Sequence, residues 1–243
     1  MELMNLQTDN YVVQANALVS VKQNLSLNET KLLRLVIMQN LYKDREFREY
    51  TVSIKKLAET FGISSQNLYR DIERMCQNII SNPVYIKKGD AWKVTRWVSF
   101  AEYVKGKGIL HIKLNEELKP YVLGLQRYYS QYQICQILNM SSVYAIRIFE
   151  MIIMKMRNTN IPREGKYVKC TVQEIREACQ CEDRYSQFGM FRKKVLDMAV
   201  REIRKRTTFF ICYEYEKESR KIVAIRFYIN SCFNRIPKKY INN

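Results

Sequence analysis

One apolar pattern occurs twice along this chain, and no other feature restricts its fold as strongly. Ser26, Asn28, Leu32, Leu33, Leu35 and Val36 fall on Asn139, Ser141, Ala145, Ile146, Ile148 and Phe149 at a constant offset of 113. Leu57 and Phe61 fall on Ile175 and Cys179 at 118, and Leu68, Ile72, Met75, Cys76 and Ile80 fall on Phe191, Val195, Met198, Ala199 and Ile203 at 123. The offset grows only in the turns, as expected when one supersecondary unit is duplicated and its loops drift. Each copy reads as a long apolar helix, a short amphipathic helix, a turn, a second long helix and then strands.

In the first copy, Ser26-Leu27-Asn28-Glu29 has capping-box spacing, in which hydroxyl and carboxylate each satisfy a free backbone N–H at a helix start. A polar connector, Arg45 to Thr51, leads to a short helix striped by Ile54, Leu57, Ala58 and Phe61. Gly62 suits the left-handed position that ends such a helix, and Ser64 suits the cap of the next. After Pro83, the segments Val84–Ile86, Trp92–Phe100 and Ile109–Leu114 read as strands joined by the basic turns KKGD and KGKG. A hairpin after a helix-turn-helix is a wing. Tyr11 to Val21 reads as a strand or extended arm, and Pro120 to Gln136 as helical. The second copy places a helix over Asn139 to Met156, a capping box at Thr171-Val172-Gln173-Glu174, and a long helix within Arg184 to Thr207. Alternating strands Phe209–Tyr215 and Lys221–Ile229 follow, joined by EKESR. The expected class is α+β: two tandem winged-helix domains related by duplication, spanning residues 1–123 and 124–243.

Charge indicates the partner. The 243 residues include 41 Lys or Arg against 24 acidic residues, a net +17 that attracts polyanions. Residues 1–123 carry +5 and residues 124–243 carry +12. Residues 184–207 alone hold eight cations and two acids, with Lys193, Asp197 and Arg204 opposite the apolar stripe. A lone basic helix face is usually just solvated. Two copies of a DNA-reading construction favour nucleic acid over that reading and over an anionic membrane surface. No apolar run is long enough to span a bilayer and no leader pattern opens the chain, so a cytoplasmic location is expected. Seven cysteines in apolar contexts read as reduced core thiols. Cys170, Cys179 and Cys181 lack paired zinc spacing, so neither metal nor cofactor is expected. The single histidine, His111, lies in the strand-like ILHIKL, and there is no G-x-x-x-x-G-K-[ST] loop. A non-enzymatic protein is expected.

The opening VVQANALV…LSLNETKLLRLVI resembles the iteron-binding replication initiators of theta-replicating plasmids. So do SIKKLAETFGISSQNLYRDIERM and YSQFGMFRKKVLDMAVREIRKRT followed by FFICYEY and IVAIRFYI. The resemblance implies two winged-helix domains on a pseudo-twofold and C-terminal recognition of direct repeats in double-stranded DNA. It also implies a lesser N-terminal DNA contribution, dimerisation through the N-terminal domain, help in melting the origin, recruitment of the host initiator and replicative helicase, and autorepression by the dimer. A winged-helix repressor without origin function is the alternative.

Helix position assigns the contacts, because the first turns of a recognition helix lie nearest base edges. Gln187 and Lys193 are expected at base edges, beside Ser186 and Met190, with Arg192 and Lys194 toward phosphates; Arg201 and Arg204, at the far end, read equally as DNA contacts or as cations that are solvated or stabilise the helix C-terminus. In the first copy, Ser65, Gln66, Asn67, Tyr69 and Arg70 open the corresponding helix, with Lys55 and Lys56 near phosphate. Wing residues Lys87, Lys88, Lys105, Lys107, Lys217, Arg220 and Lys221 are expected along the backbone.

Overall fold

The computed structural model describes residues 2–158 and 167–230, and the chain divides into two compact units, Met1–Asn139 and Met140–Asn243. This division falls later than residue 123 because a strand at 129–133 belongs to the first unit. Unit 1 runs β1 (Glu2–Leu3), β2 (Tyr11–Ala15), α1 (Asn16–Ser20), α2 (Leu27–Met38), β3 (Tyr50–Ser53), α3 (Ile54–Phe61) and α4 (Ser65–Ser81). It continues through β4 (Pro83–Lys88), β5 (Ala91–Arg96), β6 (Val98–Val104), β7 (Ile109–Leu114), α5 (Lys119–Val122), β8 (Tyr129–Gln133) and α6 (Cys135–Leu138). Unit 2 holds α7 (Val143–Asn158), β9 (Tyr167–Thr171), α8 (Val172–Ala178), α9 (Phe188–Phe191), a π-helical turn (Arg192–Leu196), α10 (Asp197–Arg206), β10 (Phe210–Glu218) and β11 (Lys221–Asn230).

Both units share one topology. In unit 1 the sheet order is β1-β3-β7-β6, and in unit 2 it is β10-β11-β9. The strand just before each helix-turn-helix therefore pairs antiparallel with the second strand of the hairpin that follows it, β3 with β7 and β9 with β11. Residues 45–51 are thus only partly a connector, since Tyr50 already lies in β3. Its apolar Tyr50 and Val52 turn inward while Thr51 and Ser53 stay half-exposed. Unit 1's wing is β6–β7. The β4–β5 hairpin is an insertion without a counterpart among the described strands of unit 2. Residues 92–100, expected as one strand, are cut by Trp97, which is fully buried between β5 and β6.

The helix expected over 120–136 is largely replaced by β8. Ser130 and Tyr132 face inward, and the strand pairs with β2 in the register Tyr11↔Gln133 to Ala15↔Tyr129. Period-two burial here prevails over helical propensity, because β2 offers an open edge. The extended arm at 11–21 likewise becomes β2 followed by α1. The helix expected from Asn139 begins at Val143.

Both capping boxes form. Ser26 N–H donates to Glu29 Oε2 at 2.8 Å, and Glu29 N–H to Ser26 Oγ at 3.4 Å. Thr171 N–H donates to Glu174 Oε2 at 2.6 Å, and Glu174 N–H to Thr171 Oγ1 at 3.0 Å. Ser64, expected to do the same for α4, sits at the cap position without a side-chain bond.

The repeat also aligns two buried arginines that an apolar stripe does not announce. Arg34 and Arg147, 113 apart, are 0% and 1% exposed. Arg34 Nη2 donates to Gln23 Oε1 at 2.7 Å. Arg147 Nε donates to Ala178 O at the end of α8 at 3.1 Å, and its Nη1 meets the buried Glu150 carboxylate at 3.0 Å. A guanidinium tolerates burial only with such partners. No helix among the described residues is long and apolar enough to cross a membrane.

Candidate nucleic-acid interface

The basic helix starts later than its composition suggests. Gln187 is the N-cap of α9, so Ser186 precedes the helix, and residues 184–187 belong to the turn. The helix then widens through the π turn, whose i→i+5 bonding adds about one residue to the turn. The buried stripe becomes Phe191, Val195, Leu196, Ala199, Val200 and Ile203, while Met198, expected inside, is half-exposed. The stripe of α4 shifts in the same way, with Ile79 buried in place of Ile80.

Outward from this stripe, Gln187, Met190, Arg192, Lys193, Lys194 and Arg201 are all exposed. Lys193 and Lys194 have no ion pair or hydrogen bond among the described residues and so are open to an outside anion. Arg192 is tethered. Its Nε lies 3.6 Å from Asp197 Oδ2, and the Tyr215 side chain on β10 favours its charged form and raises its pKa. Asp197 also accepts from Tyr213 OH at 2.5 Å, so its side chain serves the wing strand as well as the solvent side. Burial, then the bond to Asp197, pushes the Tyr213 hydroxyl pKa up. Arg204, expected opposite the stripe, folds onto β10. Its Nε donates to Ile211 O at 2.5 Å and its guanidinium lies 4.5 Å from the Phe210 ring centroid. At the wing tip, Lys217, Arg220 and Lys221 are exposed. The strands run on to Glu218 and Lys221, so EKESR narrows to a tight turn with Ser219 at φ 55°.

Unit 1 presents a weaker version. Lys55, Lys56, Gln66, Asn67 and Arg70 are exposed and Ser65 is half-buried. Arg70 lies 3.5 Å from Asp71, and Arg74 3.1 Å from the same carboxylate, so part of this helix's charge is neutralised internally. Tyr69 is committed to the wing. Its hydroxyl lies 2.9 Å from where a Cβ on Gly108 would be, and Gly108 takes the left-handed φ of 61° that favours glycine. Tyr69 and Arg70, with Lys105 and Lys107, line an open groove of about 1020 Å³ between α4 and the β6–β7 turn. Lys87 is exposed, and the side chain of Lys88 lies outside the described residues.

Four buried thiols are poor ligands or nucleophiles. Burial raises the pKa of Cys76 to about 11, Cys170 to about 12 and Cys181 to about 11, and pushes Cys179 up as well, so all stay protonated near neutrality. Among the described residues no three His, Cys, Asp or Glu side chains converge on a metal site.

The family model described as Initiator Replication protein, WH1, matches residues 11–153, and that described as Initiator Rep protein, WH2, matches residues 171–229. The chain belongs to the initiator Rep protein family. This Rep protein is 24% identical over 148 residues to the PI protein of Escherichia coli, a match covering 55% of this chain and 47%, about half, of that relative. It is 21% identical over 228 residues to an uncharacterized 27.6 kDa protein of Escherichia coli, covering 88% of this chain and 93% of the other. Its fold matches that of the Pi initiator protein solved in complex with iteron DNA. The TM-score is 0.74 at 18% identity, over 92% of this chain and 98% of that one. Tandem winged-helix units are thus the Rep family's architecture, and replication initiation is its class of function.

Sequence pattern does not single out Arg176, which holds the turn before α9, or the tethering of Arg192 and Arg204. The first had a local signal, a cation one turn from the end of a helix that is followed by several free carbonyls. That of Arg204 depends on β10, which lies next to the helix only after folding.

Proposed function

We propose that this Rep protein binds directly repeated sequences, iterons, in duplex origin DNA, reading bases chiefly with the α9–α10 helix of unit 2. The carrying observation is the run Arg192-Lys193-Lys194, exposed along the first turns of a helix whose opposite face is fully buried. Gln187 and Lys193 are the base readers, with Ser186 and Met190 beside them. Arg192, Lys194, Arg201 and the wing cations Lys217, Arg220 and Lys221 hold phosphates. Arg192, held beside Asp197, is the most pre-positioned of these. In unit 1, Lys55, Lys56, Ser65, Gln66, Asn67, Tyr69 and Arg70 give a lesser, mainly phosphate contribution. That unit also dimerises, and Tyr85, Trp92 and Val94, exposed on one face of the inserted β4–β5 hairpin, give it an apolar surface for doing so. Bound at an origin, the protein aids melting and recruits the host initiator and replicative helicase, while the dimer represses its own promoter.

If about six to ten phosphates are held, affinity falls about 10³- to 10⁵-fold between 50 and 200 mM salt. Lys193→Ala removes discrimination between repeat and random duplex without altering the fold. A flat salt response together with unchanged discrimination refutes the helix assignment. Transformation with a plasmid whose origin depends on this protein separates an initiator from a repressor without origin function, which binds its operator but supports no replication.

A further inference from the structure

The two helix-turn-helix turns differ in a way the duplication makes visible. In unit 1 three residues, 62–64, separate α3 from α4, and Gly62 takes the left-handed position at φ 66°. In unit 2 nine residues, 179–187, separate α8 from α9, and the left-handed positions fall on Gln180 at φ 49° and Tyr185 at φ 56°. A longer turn leaves more carbonyls without helix or strand partners, and non-glycine left-handed residues persist only where their surroundings hold them.

Arg176 supplies that hold. Its Nη1 donates to Cys181 O at 3.1 Å and Arg184 O at 2.7 Å, and its Nη2 donates to Tyr185 O at 2.7 Å. The guanidinium carbon lies 4.4 Å from the centroid of Phe191, the first buried residue of the recognition helix. A planar fork with five fixed donors suits three carbonyls, which a lysine ammonium cannot reach in the same geometry. In unit 1 the position 118 residues earlier is the buried Ala58, where a short glycine turn requires no such clamp. The clamped turn also carries Glu182 and Asp183, two carboxylates that must stay off phosphate if Ser186 and Gln187 are to approach a groove.

We infer that Arg176 is a positioning residue for base reading: by clamping the Cys181–Tyr185 turn it sets where the start of the recognition helix meets DNA. It touches no base itself. The inference rests on the DNA-reading role proposed for unit 2. It is tested with the full chain, first enriching a 20-base-pair duplex from a random library against the wild-type protein. Affinities for that duplex and for a scrambled duplex of equal composition are then compared in wild type and Arg176→Lys. The substitution keeps the charge, so scrambled-duplex affinity stays within about twofold, while the selective ratio falls about tenfold or more, the scale of one lost base contact. Amide exchange accelerates at 181–187 and stays unchanged elsewhere in unit 2. Tyr185→Gly in the Arg176→Lys background restores part of the ratio, because glycine accepts a positive φ unaided. An unchanged ratio in Arg176→Lys overturns the inference, as does faster exchange through the whole unit, which would make Arg176 a core staple. Failure of Tyr185→Gly to restore any discrimination overturns it too, by placing the loss at the Phe191 stack. A wild-type protein that enriches no sequence defeats the DNA-reading proposal itself, a separate result.

Discussion

Gln180→Gly is the sharpest test of the duplicated architecture, because the first copy already contains the answer. Gln180 lies 118 residues after Gly62, the same offset that relates Leu57 to Ile175. Both positions end the first helix of a helix-turn-helix with the same bonds. Gly62 N–H bonds Glu59 O at 3.1 Å and Ile63 N–H bonds Ala58 O at 3.0 Å; Gln180 N–H bonds Glu177 O at 3.2 Å and Cys181 N–H bonds Arg176 O at 3.0 Å. This is the Schellman closure, and its left-handed residue is ordinarily glycine. A side chain there costs about 1–2 kcal/mol, and glycine's greater unfolded-state freedom returns about 0.5–1 of that. The net stabilisation is about 0.5–1 kcal/mol, which for a unit of this size raises Tm by about 2–6 °C. The reciprocal Gly62→Gln loses a similar amount from unit 1. A Cβ at Gly62 meets nothing within 4 Å, so the loss there is conformational and not steric. Calorimetry of the full chain, with urea midpoints at unchanged slope, measures both. If Gln180→Gly lowers Tm while Gly62→Gln leaves it unchanged, the two turns are not equivalent and the strain argument fails.

Arg147→Met takes the buried pair away from Glu150 and should cost about 3–5 kcal/mol, partly recovered in Arg147→Met/Glu150→Met; equal melting of all three proteins would show that the pair carries no stability. Burial raises the Glu174 carboxyl pKa, but hydrogen bonds from Lys155 and Thr171 outweigh it and hold the carboxyl below its ordinary value. A depressed carboxylate stabilises the fold above its unfolded pKa and loses that contribution as pH falls through the folded value. Glu174→Gln should therefore flatten the acid limb of urea midpoints below about pH 4.5 and leave its slope unchanged at neutral pH. Gly189 is exposed in the first turn of α9 with open space around its missing Cβ. Gly189→Ala should stabilise unit 2 by about 0.5–1 kcal/mol while weakening duplex binding, if the backbone there approaches DNA; tighter binding would place the groove elsewhere.

The amino-acid sequence alone settled whatever depends on residues close in the chain. Helical and strand periodicities, both capping boxes, the glycine closure at Gly62 and the basic stretch at 184–207 are local patterns, and so is their duplication. Folding settled what depends on partners far apart in sequence. β3 and β9 exist because β7 and β11 offer them an edge, and β8 is a strand only because β2 is there to pair with it. With the extra residue of the π turn, Leu196 and Val200 lie inside, a shift that a regular helical period does not announce. The same neighbourhood decides which cations remain available: β10 captures Arg204, Asp197 holds Arg192, a turn captures Arg176, and Lys193 and Lys194 are left facing outward. Local pattern thus placed charge on the helix, and only packing selected which of those charges are open to a partner.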